Sequence, residues 1–426
     1  MVLSHRRAPL SLRERFAYTP GEIQESLGRL VRQGIATEAV IVSTCHRIEV
    51  YIVSAGPPDP GRLGQFLCDD RGMSWAAVQP FARALAGLEV AEHLFRVTAG
   101  LDSMVVGEAE VLGQVKAAYA AAKQAGSLGP QIDGLFRWAI HAGRRVRKET
   151  ELRTVHRSIG TRAVEVASVH LGGLHGRTVL ILGAGRVARA VAERARAEAA
   201  RVVICRRTAA RARPLAGQAG EAVPLARLSQ ELADADVLVC CAAAQNRLVH
   251  REQLRHAVAG RQGRPLLVVD LSVPRVVDLG ARHLPGIELI DLEGLAGEEA
   301  GDDPALGPAI RDGLAIVNQE TRAFGAWAAG RQAGAVIVAL RRRVDEICAL
   351  ELERLLRRNR FLSRAEAREV LRRALAKVLH APTAAAREAV ASGDYELISS
   401  LNRIFGLEDN PGLGGVRQRS GAAPDV

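Results

Sequence analysis

The first third of the chain combines short apolar runs with longer amphipathic stretches. The runs predict two strands, at residues 39–42 and 48–52. In the second strand Ile48, Val50 and Ile52 alternate with polar residues, as in a strand with one buried face. The amphipathic stretches predict Ala-rich helices at residues 90–97, 114–124 and 135–149. We expect the last of these helices to continue as the link to the next domain.

From about residue 178 the pattern changes to apolar runs that alternate with helical stretches. The runs lie at residues 179–182, 202–205, 237–240 and 266–270, and a helical stretch follows the first of them. Strands that alternate with helices predict a parallel, doubly wound sheet of the Rossmann type. A break rich in Gly, Asp and Pro, at residues 297–308, ends this region.

The last part of the chain is helical and strongly basic. Between residues 340 and 377 there are eleven Arg and one Lys against six acidic residues. An apolar stripe at helical spacing is formed by Val344, Cys348, Leu352 and Leu355. This stripe favours a homodimer contact first and a nucleic-acid contact second.

These changes of pattern predict a multidomain α/β protein. We predict an N-terminal α+β domain over residues 1–150, a Rossmann-type dinucleotide-binding domain over 151–300 and a C-terminal helical dimerisation domain over 301–410. Residues 411–426 are rich in Gly, Pro and small side chains and predict a disordered tail.

The composition favours a chain with several apolar cores and no membrane span. Hydrophobic residues make up 48% of the 426 residues, but no apolar run approaches the roughly 20 residues of a membrane helix. The first residues lack the apolar segment of a signal peptide. The six cysteines show no CxxC or metal-finger spacing. We therefore expect free thiols in a reducing cytoplasm and no metal site.

The net charge of +11 comes almost wholly from Arg and fits a polyanionic partner, with nucleic acid ahead of a membrane surface. The basic stretch over residues 137–162 is one candidate for a nucleic-acid contact. The alternative is that this stretch is a solvated helix face, and that a GC-rich genome enriches Arg codons throughout the chain.

A Gly-rich segment follows the first strand of the Rossmann-type pattern and opens a helix. It consists of Gly183, Ala184, Gly185, Arg186, Val187 and Ala188. The first Gly allows a tight turn and the second lets the backbone approach a pyrophosphate, while the small third residue packs the helix on the strand. The free N–H groups and dipole of the helix N-terminus favour the anion. The segment predicts a bound dinucleotide, against the alternative of an apolar turn that binds nothing.

The residues after the second strand favour NADPH over NADH. NAD enzymes usually place an Asp or Glu there, about 20 residues after the Gly-rich segment, to hold the ribose 2′-hydroxyl. This chain has Arg206, Arg207 and Thr208 instead. Guanidinium groups match a 2′-phosphate, which an acidic residue would repel.

Cys45 is the candidate nucleophile of the first domain. It follows a predicted strand and is succeeded at once by His46 and Arg47. Cations lower the pKa of a thiol and so raise its thiolate fraction, which a nucleophile needs. From these residues alone, the alternative is a small buried hydrophobic side chain.

Polar residues gather further along the same domain. His93 lies on a predicted helix, and the Gly-punctuated segment after it carries Ser103, Glu108, Glu110 and Gln114. Without further context, His93 is as easily a hydrogen-bonded helix residue, and the acidic residues are as easily a solvated helix start.

These segments together resemble the glutamyl-tRNA reductase family. The resemblance covers nearly the whole chain through seven motifs in the family's order, at residues 4–9, 43–51, 100–116, 145–150, 183–185, 270–275 and 377–382. It implies an N-terminal catalytic domain and an NADPH domain, and it implies the first step of tetrapyrrole (porphyrin, heme) synthesis from glutamate.

The implied reaction is a reduction that depends on a cysteine. Cys45 would attack the ester between glutamate and its tRNA to give a thioester, and hydride from NADPH would then release glutamate-1-semialdehyde. The resemblance assigns His93 a role near the reacting carbonyl and Arg47 the glutamate carboxylate. It assigns substrate contacts to Thr44, His46, Arg47, Ser103, Glu108, Ala109, Glu110 and Gln114. The implied partners are glutamyl-tRNA, a second copy of the chain and an aminomutase that accepts the aldehyde.

Some positions depart from the family pattern. His46 stands where Asn is usual, Ala109 and Glu110 replace Pro-Gln, and Arg206 replaces Asn. Ala242 and Ala243 follow Cys241 where the family usually has a turn with Ser or Thr. The departures leave open a divergent paralogue that acts on another aminoacyl-tRNA, a non-reducing tRNA-binding regulator, and an ordinary NADP-dependent dehydrogenase of small acids. The intact Cys45 and its partners argue against the regulator, and the basic helices argue against the dehydrogenase.

Overall fold

The fold comes from a computed structural model, which describes the chain except residues 55, 109, 154–157, 208–220, 243, 245, 262, 298–305, 359–362, 393–396, 398–399, 401–403 and 406–426. The predictions for Ala109 and Thr208, most of the break at residues 297–308 and the predicted tail at 411–426 therefore lie outside the described residues.

The first part of the chain forms a small antiparallel sheet covered by helices. Its strands are β1 (Val2–Ser4), β2 (Glu38–Ser43) and β3 (Arg47–Val53), in the order β1-β3-β2. Its helices are α1 (Leu10–Phe16), α2 (Pro20–Arg32), α3 (Pro60–Asp69), α4 (Trp75–Val78), α5 (Leu88–Thr98), α6 (Glu110–Gln124) and α7 (Pro130–Glu149). The two strands and three helices predicted here all lie within these bounds.

Strand β3 is the central strand of this sheet and is buried on both faces. Ile48 and Val50 are buried on one face, as the alternation predicts. Arg47, Glu49 and Tyr51 are also buried, on the opposite face. The strand therefore has a second, polar face inside the protein, which an apolar count along the sequence does not reveal.

Helix α7 ends at Glu149, so the expectation that it continues into the next domain is wrong. Thr150 has an extended backbone, with φ −126° and ψ 161°, and its hydroxyl donates to the Val146 carbonyl at 2.8 Å. A short 3₁₀ turn at Glu151–Arg153 follows. The side chain of Thr150 thus satisfies a terminal carbonyl of the helix and ends it there.

The middle of the chain forms a six-stranded parallel sheet with helices on both faces. Its strands are β4 (Thr178–Leu182), β5 (Arg201–Arg206), β6 (Glu221–Pro224), β7 (Val237–Cys240), β8 (Leu266–Asp270) and β9 (Ile287–Asp291), in the order β6-β5-β4-β7-β8-β9. Its helices are α8 (Ile159–Leu171), α9 (Arg186–Ala197), α10 (Leu228–Asp234), α11 (Arg251–Ala259) and α12 (Leu292–Gly297). This strand order is that of the dinucleotide-binding Rossmann fold, so the predicted fold class is confirmed.

The last part of the chain consists of two long helices, α13 (Leu306–Arg358) and α14 (Arg364–Ser392). The first half of α13 packs on the first sheet's helices. There Trp327 lies against Trp138, and Arg145 Nη1 donates to Glu320 Oε1 at 2.5 Å. The second half of α13 runs against α14. In the described part of the chain, no helix has the length and apolar character needed to cross a membrane.

The predicted apolar stripe on α13 is covered in part within the chain. Val344 is half-buried against a cluster that α13 and α14 share, and Leu352 is buried. Contact of the stripe with a partner helix stays a prediction. Cys348 is half-buried, and the side chain of Leu355 lies outside the described set.

Candidate active site

Thr44, Cys45, His46 and Arg47 form the tight turn between β2 and β3. The Thr44 N–H donates to the Arg47 carbonyl at 2.9 Å. The Thr44 hydroxyl oxygen accepts the backbone N–H groups of His46 and Arg47, both at 3.2 Å. The Cys45 carbonyl accepts a hydrogen bond from Arg13 Nη1 at 2.6 Å. Cys45 therefore lies at the tip of a pinned hairpin turn.

A buried cluster of charged groups lies on the polar face of β3. Arg47 Nη1 donates to Glu49 Oε1 at 2.8 Å and to Asp102 Oδ2 at 3.0 Å. His93 Nε2 lies 2.8 Å from Glu49 Oε1, and the Tyr51 hydroxyl donates to the other Glu49 oxygen. Burial alone would raise the pKa of Glu49, but the Arg47 charge and the His93 hydrogen bond hold it well below its usual range. Glu49 is therefore a carboxylate, and His93 donates to it.

The guanidinium of Arg47 is occupied by this cluster. Its side chain is 1% exposed, and its Nη2 also donates to the Asp102 carbonyl. Arg6 reaches the same Asp102 carboxylate from the surface, with Nε 2.7 Å from Oδ1. Binding of a substrate carboxylate by Arg47 would have to displace one of its present partners, and this role stays a prediction.

His46 and Glu108 face each other beside the turn, and both are buried. His46 Nδ1 lies 3.6 Å from Glu108 Oε2. Burial, followed by the charges of His5 and Arg47, lowers the pKa of His46 to about 3, so the ring is neutral. Burial and the charge of Glu110 raise the pKa of Glu108 to about 7. Among the described residues, His46 Nε2 has no hydrogen-bond partner.

The thiol of Cys45 shows the opposite pKa shift from the one predicted. Burial, together with the charges of Glu108 and Glu110, raises the pKa of Cys45 to about 12. The two expected cations fail for different reasons. Arg47 is neutralised by its carboxylate partners, and His46 is uncharged. The prediction of a lowered thiol pKa is therefore wrong, and the role of Cys45 as a nucleophile stays a prediction.

The other predicted substrate residues lie on α6 and in the segment before it. Ser103 is buried directly after Asp102, and Gln114 is half-buried on α6. Burial raises the pKa of Glu110, the first residue of α6. In the part of the chain that the structure describes, no three His, Cys, Asp or Glu side chains come together as a metal-binding group.

The Gly-rich segment lies where the strand order reverses, between β4 and β7. Gly183 has a φ of +133°, and a Cβ there would lie 2.7 Å from the Cys241 carbonyl oxygen, so a side chain is excluded. Gly185 precedes α9, and a Cβ built on it would meet nothing within 4 Å. Ala188 is fully buried between helix and sheet. Ala184 and Val187 are half-buried, and Arg186 is exposed. The helix N-terminus is thus open for an anionic ligand.

The end of β5 lies beside this segment, because β5 pairs directly with β4. Arg206 is half-buried and Arg207 is exposed at that end. Their position suits contact with the adenosine ribose of a dinucleotide. Contact with a 2′-phosphate stays a prediction.

The Cys45 turn (residues 44–47) packs against the nucleotide-binding unit, which consists of the six-stranded sheet and helices α8–α12. Cys45, Met104 and Val105 lie against the apolar cluster on one face of the six-stranded sheet. Arg186, from the Gly-rich segment, lies close to α6, since a Cβ built on Gly113 would be 3.0 Å from its Nη1. The structure therefore brings the candidate nucleophile and the candidate cofactor segment to the same interface.

Comparison with known proteins agrees with this arrangement along the whole chain. Residues 1–150 match the family model described as glutamyl-tRNAGlu reductase, N-terminal domain, and residues 314–407 match its dimerisation domain. The glutamyl-tRNA reductase of Syntrophotalea carbinolica is 34% identical over 424 residues, which cover 97% of this chain and 95% of that protein. The chain belongs to the glutamyl-tRNA reductase family.

The chain is also similar to further proteins. The glutamyl-tRNA reductase of Salinispora arenicola is 36% identical over 420 residues, which cover 95% of this chain and 91% of that protein. A solved glutamyl-tRNA reductase from Methanopyrus kandleri is 28% identical, with a TM-score of 0.47, and the match covers 92% of this chain and 98% of that one. Residues 165–297 match the family model described as shikimate / quinate 5-dehydrogenase. This dehydrogenase-type domain implies a nicotinamide cofactor, and the dimerisation domain supports a homodimer.

Several residues of this family member's site were not predicted. Glu49 and Asp102 hold Arg47 and His93 in place, and Tyr51 completes the cluster. The signal for Glu49 and Tyr51 lay in β3, where Arg47, Glu49 and Tyr51 stand at every second residue. That alternation places them on one face, and only their burial shows that the face is internal.

Proposed function

We propose that this chain reduces tRNA-bound glutamate to glutamate-1-semialdehyde with NADPH, through a thioester on Cys45. The observation that carries the proposal is the Cys45 turn, which packs against the nucleotide-binding unit in a chain similar to glutamyl-tRNA reductases over nearly its whole length. The product would enter tetrapyrrole synthesis.

The first step is acyl transfer from the tRNA to Cys45. The Cys45 sulfur bonds to the glutamyl carbonyl carbon, the ester bond to the tRNA ribose breaks, and the proton of the thiol ends on the released ribose hydroxyl. A thiol with a pKa of about 12 needs help to lose that proton. Glu108 suits this task because its pKa of about 7 lets it accept and return a proton near neutral pH.

The remaining site residues would bind and orient the glutamyl group. The Thr44 hydroxyl fixes the turn, so its role is to set the direction of the Cys45 side chain. Ser103, Glu110 and Gln114 offer polar groups on the side of the site formed by α6 and the segment before it. His93 is held by Glu49 and, through this anchor, keeps a fixed place near the substrate.

The second step needs a hydride donor on the other side of the interface. Gly183, Gly185 and the N-terminus of α9 would hold the pyrophosphate, and Arg206 with Arg207 would hold the 2′-phosphate. When bound, NADPH would supply the hydride that adds to the thioester carbonyl carbon. The carbon–sulfur bond then breaks to give the aldehyde, and the Cys45 thiolate takes up a proton from solvent. Packing of the Cys45 turn on the sheet keeps water away from the thioester.

The proposal is tested with Cys45→Ser in an assay of glutamyl-tRNA with NADPH. We expect no detectable semialdehyde and no release of tRNA, while the variant still binds the tRNA. Cys348→Ser, on α13 and half-buried like Cys45, is the matched control and should retain activity. Substantial activity of Cys45→Ser would contradict the thioester, and equal activity on other aminoacyl-tRNAs would favour the divergent paralogue.

Cofactor choice is tested with Arg207→Ala. The variant should bind NADPH more weakly, by roughly tenfold or more, and bind NADH unchanged, since only a charge-assisted contact to the 2′-phosphate is lost. Arg201→Ala, at the other end of the same strand, is the control because its side chain is also exposed. Equal use of both cofactors by the unchanged protein would refute the choice of NADPH.

The proposal extends to partners and location. The acyl donor would be glutamyl-tRNA, bound as a polyanion by the Arg-rich surface. The labile aldehyde product suits direct transfer to an aminomutase, and the free thiols suit a reducing cytoplasm.

A further inference from the structure

The ion pair between Glu14 and Arg275 joins two parts of the structure. Glu14 lies in the first unit, which consists of the three-stranded sheet and helices α1–α7, and Arg275 lies in the nucleotide-binding unit. The Arg275 backbone N–H and Nε donate to Glu14 Oε1 at 2.6 and 2.8 Å, and Nη2 donates to Oε2 at 2.7 Å. Arg275 Nη1 also donates to Asp291 Oδ2 at 3.2 Å, at the end of β9. The two side chains of the pair are only 13% and 16% exposed, so solvent screens them less than a surface pair.

The helix that carries Glu14 also holds the Cys45 turn. Arg13, the preceding residue of α1, donates to the Cys45 carbonyl at 2.6 Å and is 1% exposed. Its Nη2 lies 3.7 Å from Glu293 Oε1, and the Leu10 N–H donates to the same carboxylate. Helix α1 is therefore fastened to the turn on one side and to the nucleotide-binding unit on the other.

We infer that Glu14 and Arg275 are positioning residues that hold the nucleotide-binding unit against the Cys45 turn, and that they act on hydride transfer and not on acyl transfer. The division into these two steps rests on the proposed function. Formation of the thioester uses Cys45 and its neighbours in the first unit. Reduction requires the second unit to stay in place against them.

Loss of the Glu14–Arg275 pair should therefore change which product forms from the thioester. With the two units apart, water adds to the thioester carbonyl, the carbon–sulfur bond breaks, and glutamate and the free thiol result. With the units together, hydride adds instead and the aldehyde results. The ratio of aldehyde to free glutamate thus reports how long the interface stays closed.

The first test needs neither tRNA nor cofactor. Glu14→Gln and Arg275→Gln should each speed the alkylation of Cys45 by iodoacetamide about tenfold, which corresponds to ~1.4 kcal/mol in favour of the open form. Opening exposes Cys45 and raises its thiolate fraction, and both effects act in the same direction. Cys348, on α13, is the internal control and should react at an unchanged rate, as read from peptide masses.

A matched control breaks a different ion pair between parts of the chain. Glu320→Gln removes the acidic partner that Arg145 has on α13. This ion pair joins α13 to α7, away from the Cys45 turn. It should leave the alkylation of Cys45 within twofold of the unchanged protein. An equal acceleration in Glu320→Gln would mean general loosening and would overturn the inference, as would no acceleration in Glu14→Gln.

The second test measures the products in a single turnover with glutamyl-tRNA and NADPH. In Glu14→Gln the release of tRNA should stay within twofold, while the ratio of aldehyde to free glutamate falls about tenfold. Arg275→Lys keeps the charge and should recover most of the ratio. The double Gln variant should lose no more than either single variant, because the pair acts as one unit. A parallel loss of tRNA release and reduction would overturn the inference.

The two tests separate this inference from the proposed function. If the unchanged protein neither releases tRNA nor forms aldehyde, the proposed function fails, and the alkylation rates still decide whether the pair holds the interface. If Arg275→Gln fails to fold, Glu14→Gln carries the comparison, since Gln keeps the shape of the Glu14 side chain and removes only its charge.

Discussion

Replacing Glu49 with Gln should destabilise the first unit by about 3 kcal/mol, because it removes the charge from a buried cluster and keeps its shape. The carboxylate accepts hydrogen bonds from Arg47, His93 and Tyr51. Glu49 is fully buried, so water cannot replace what is lost. Removing one partner of a buried ion pair costs roughly 3–5 kcal/mol, and the lower end applies because Asp102 still pairs with Arg47.

Tryptophan fluorescence during thermal unfolding measures the stability loss of Glu49→Gln in the first unit. Trp75 and Trp138 lie in the first unit, and Trp327 packs against Trp138 from α13. A loss of about 3 kcal/mol should lower the melting temperature by roughly 6–12 °C for a unit of this size. Glu92→Gln is the control, because Glu92 forms an exposed pair with Arg96 that should contribute less than about 0.5 kcal/mol.

The effect of Glu49→Gln should also depend on pH. The pKa of Glu49 is depressed in the folded protein, so its contribution to stability is present above the unfolded pKa of about 4.3. It is lost progressively as the pH falls below that value toward the folded pKa. The difference between the two proteins should therefore shrink below about pH 4. A shift of less than about 2 °C at pH 7, or one equal to that of Glu92→Gln, would refute the argument.

Other parts of the structure give further predictions. The alkylation rate of Cys45 should rise about tenfold per pH unit from pH 7 to 10, because its pKa of about 12 keeps the thiolate fraction small throughout, and a plateau below pH 9 would contradict this. Gly134→Ala should lower the free energy of unfolding of the first unit by about 1–3 kcal/mol, since its Cβ would lie 2.1 Å from the Trp327 ring. The loss is measured as a lower melting temperature. Gly21→Ala is its control, with nothing within 4 Å. A chain ending at residue 331 should be monomeric by light scattering where the full chain is dimeric. A dimer of the shortened chain would place the dimer contact before residue 332.

The sequence predicts the strands of the six-stranded sheet best where they are central. The predicted runs in β4 and β7 are wholly apolar, and the run in β8 is apolar up to Asp270, because helices cover both faces of the sheet. Strands β6 and β9 were missed. They lie at the two edges of the sheet and mix exposed and polar residues with a few buried ones. An edge strand has fewer buried positions, so its composition resembles that of a loop.

The chemistry of the candidate site was harder to predict than its position. Motifs placed Cys45, His46 and Arg47 at one turn, and the structure agrees. Their charges could not be predicted, because these depend on which face of β3 each side chain takes. Arg47 points to the polar face and meets Glu49 and Asp102, while His46 meets Glu108 in a space closed to water. Adjacent residues in the sequence therefore have different electrostatic surroundings.

These different electrostatic surroundings bear on how Cys45, the proposed nucleophile, would be activated. With a pKa of about 12, only about 1 in 10⁵ Cys45 thiols is ionised at pH 7, so the free protein holds a protected thiol. The cluster around Glu49 neutralises Arg47. Arg13, which contacts the Cys45 carbonyl, lowers the pKa of the thiol, but burial and the charges of Glu108 and Glu110 outweigh it. What remains is Glu108, whose pKa of about 7 lies far closer to neutrality. Glu108 as an anion raises the thiol pKa, and as an acceptor it would remove the thiol proton. In the proposed reaction, attack by Cys45 would therefore couple transfer of the proton with formation of the new bond, and the thiol would react only when an acyl group arrives.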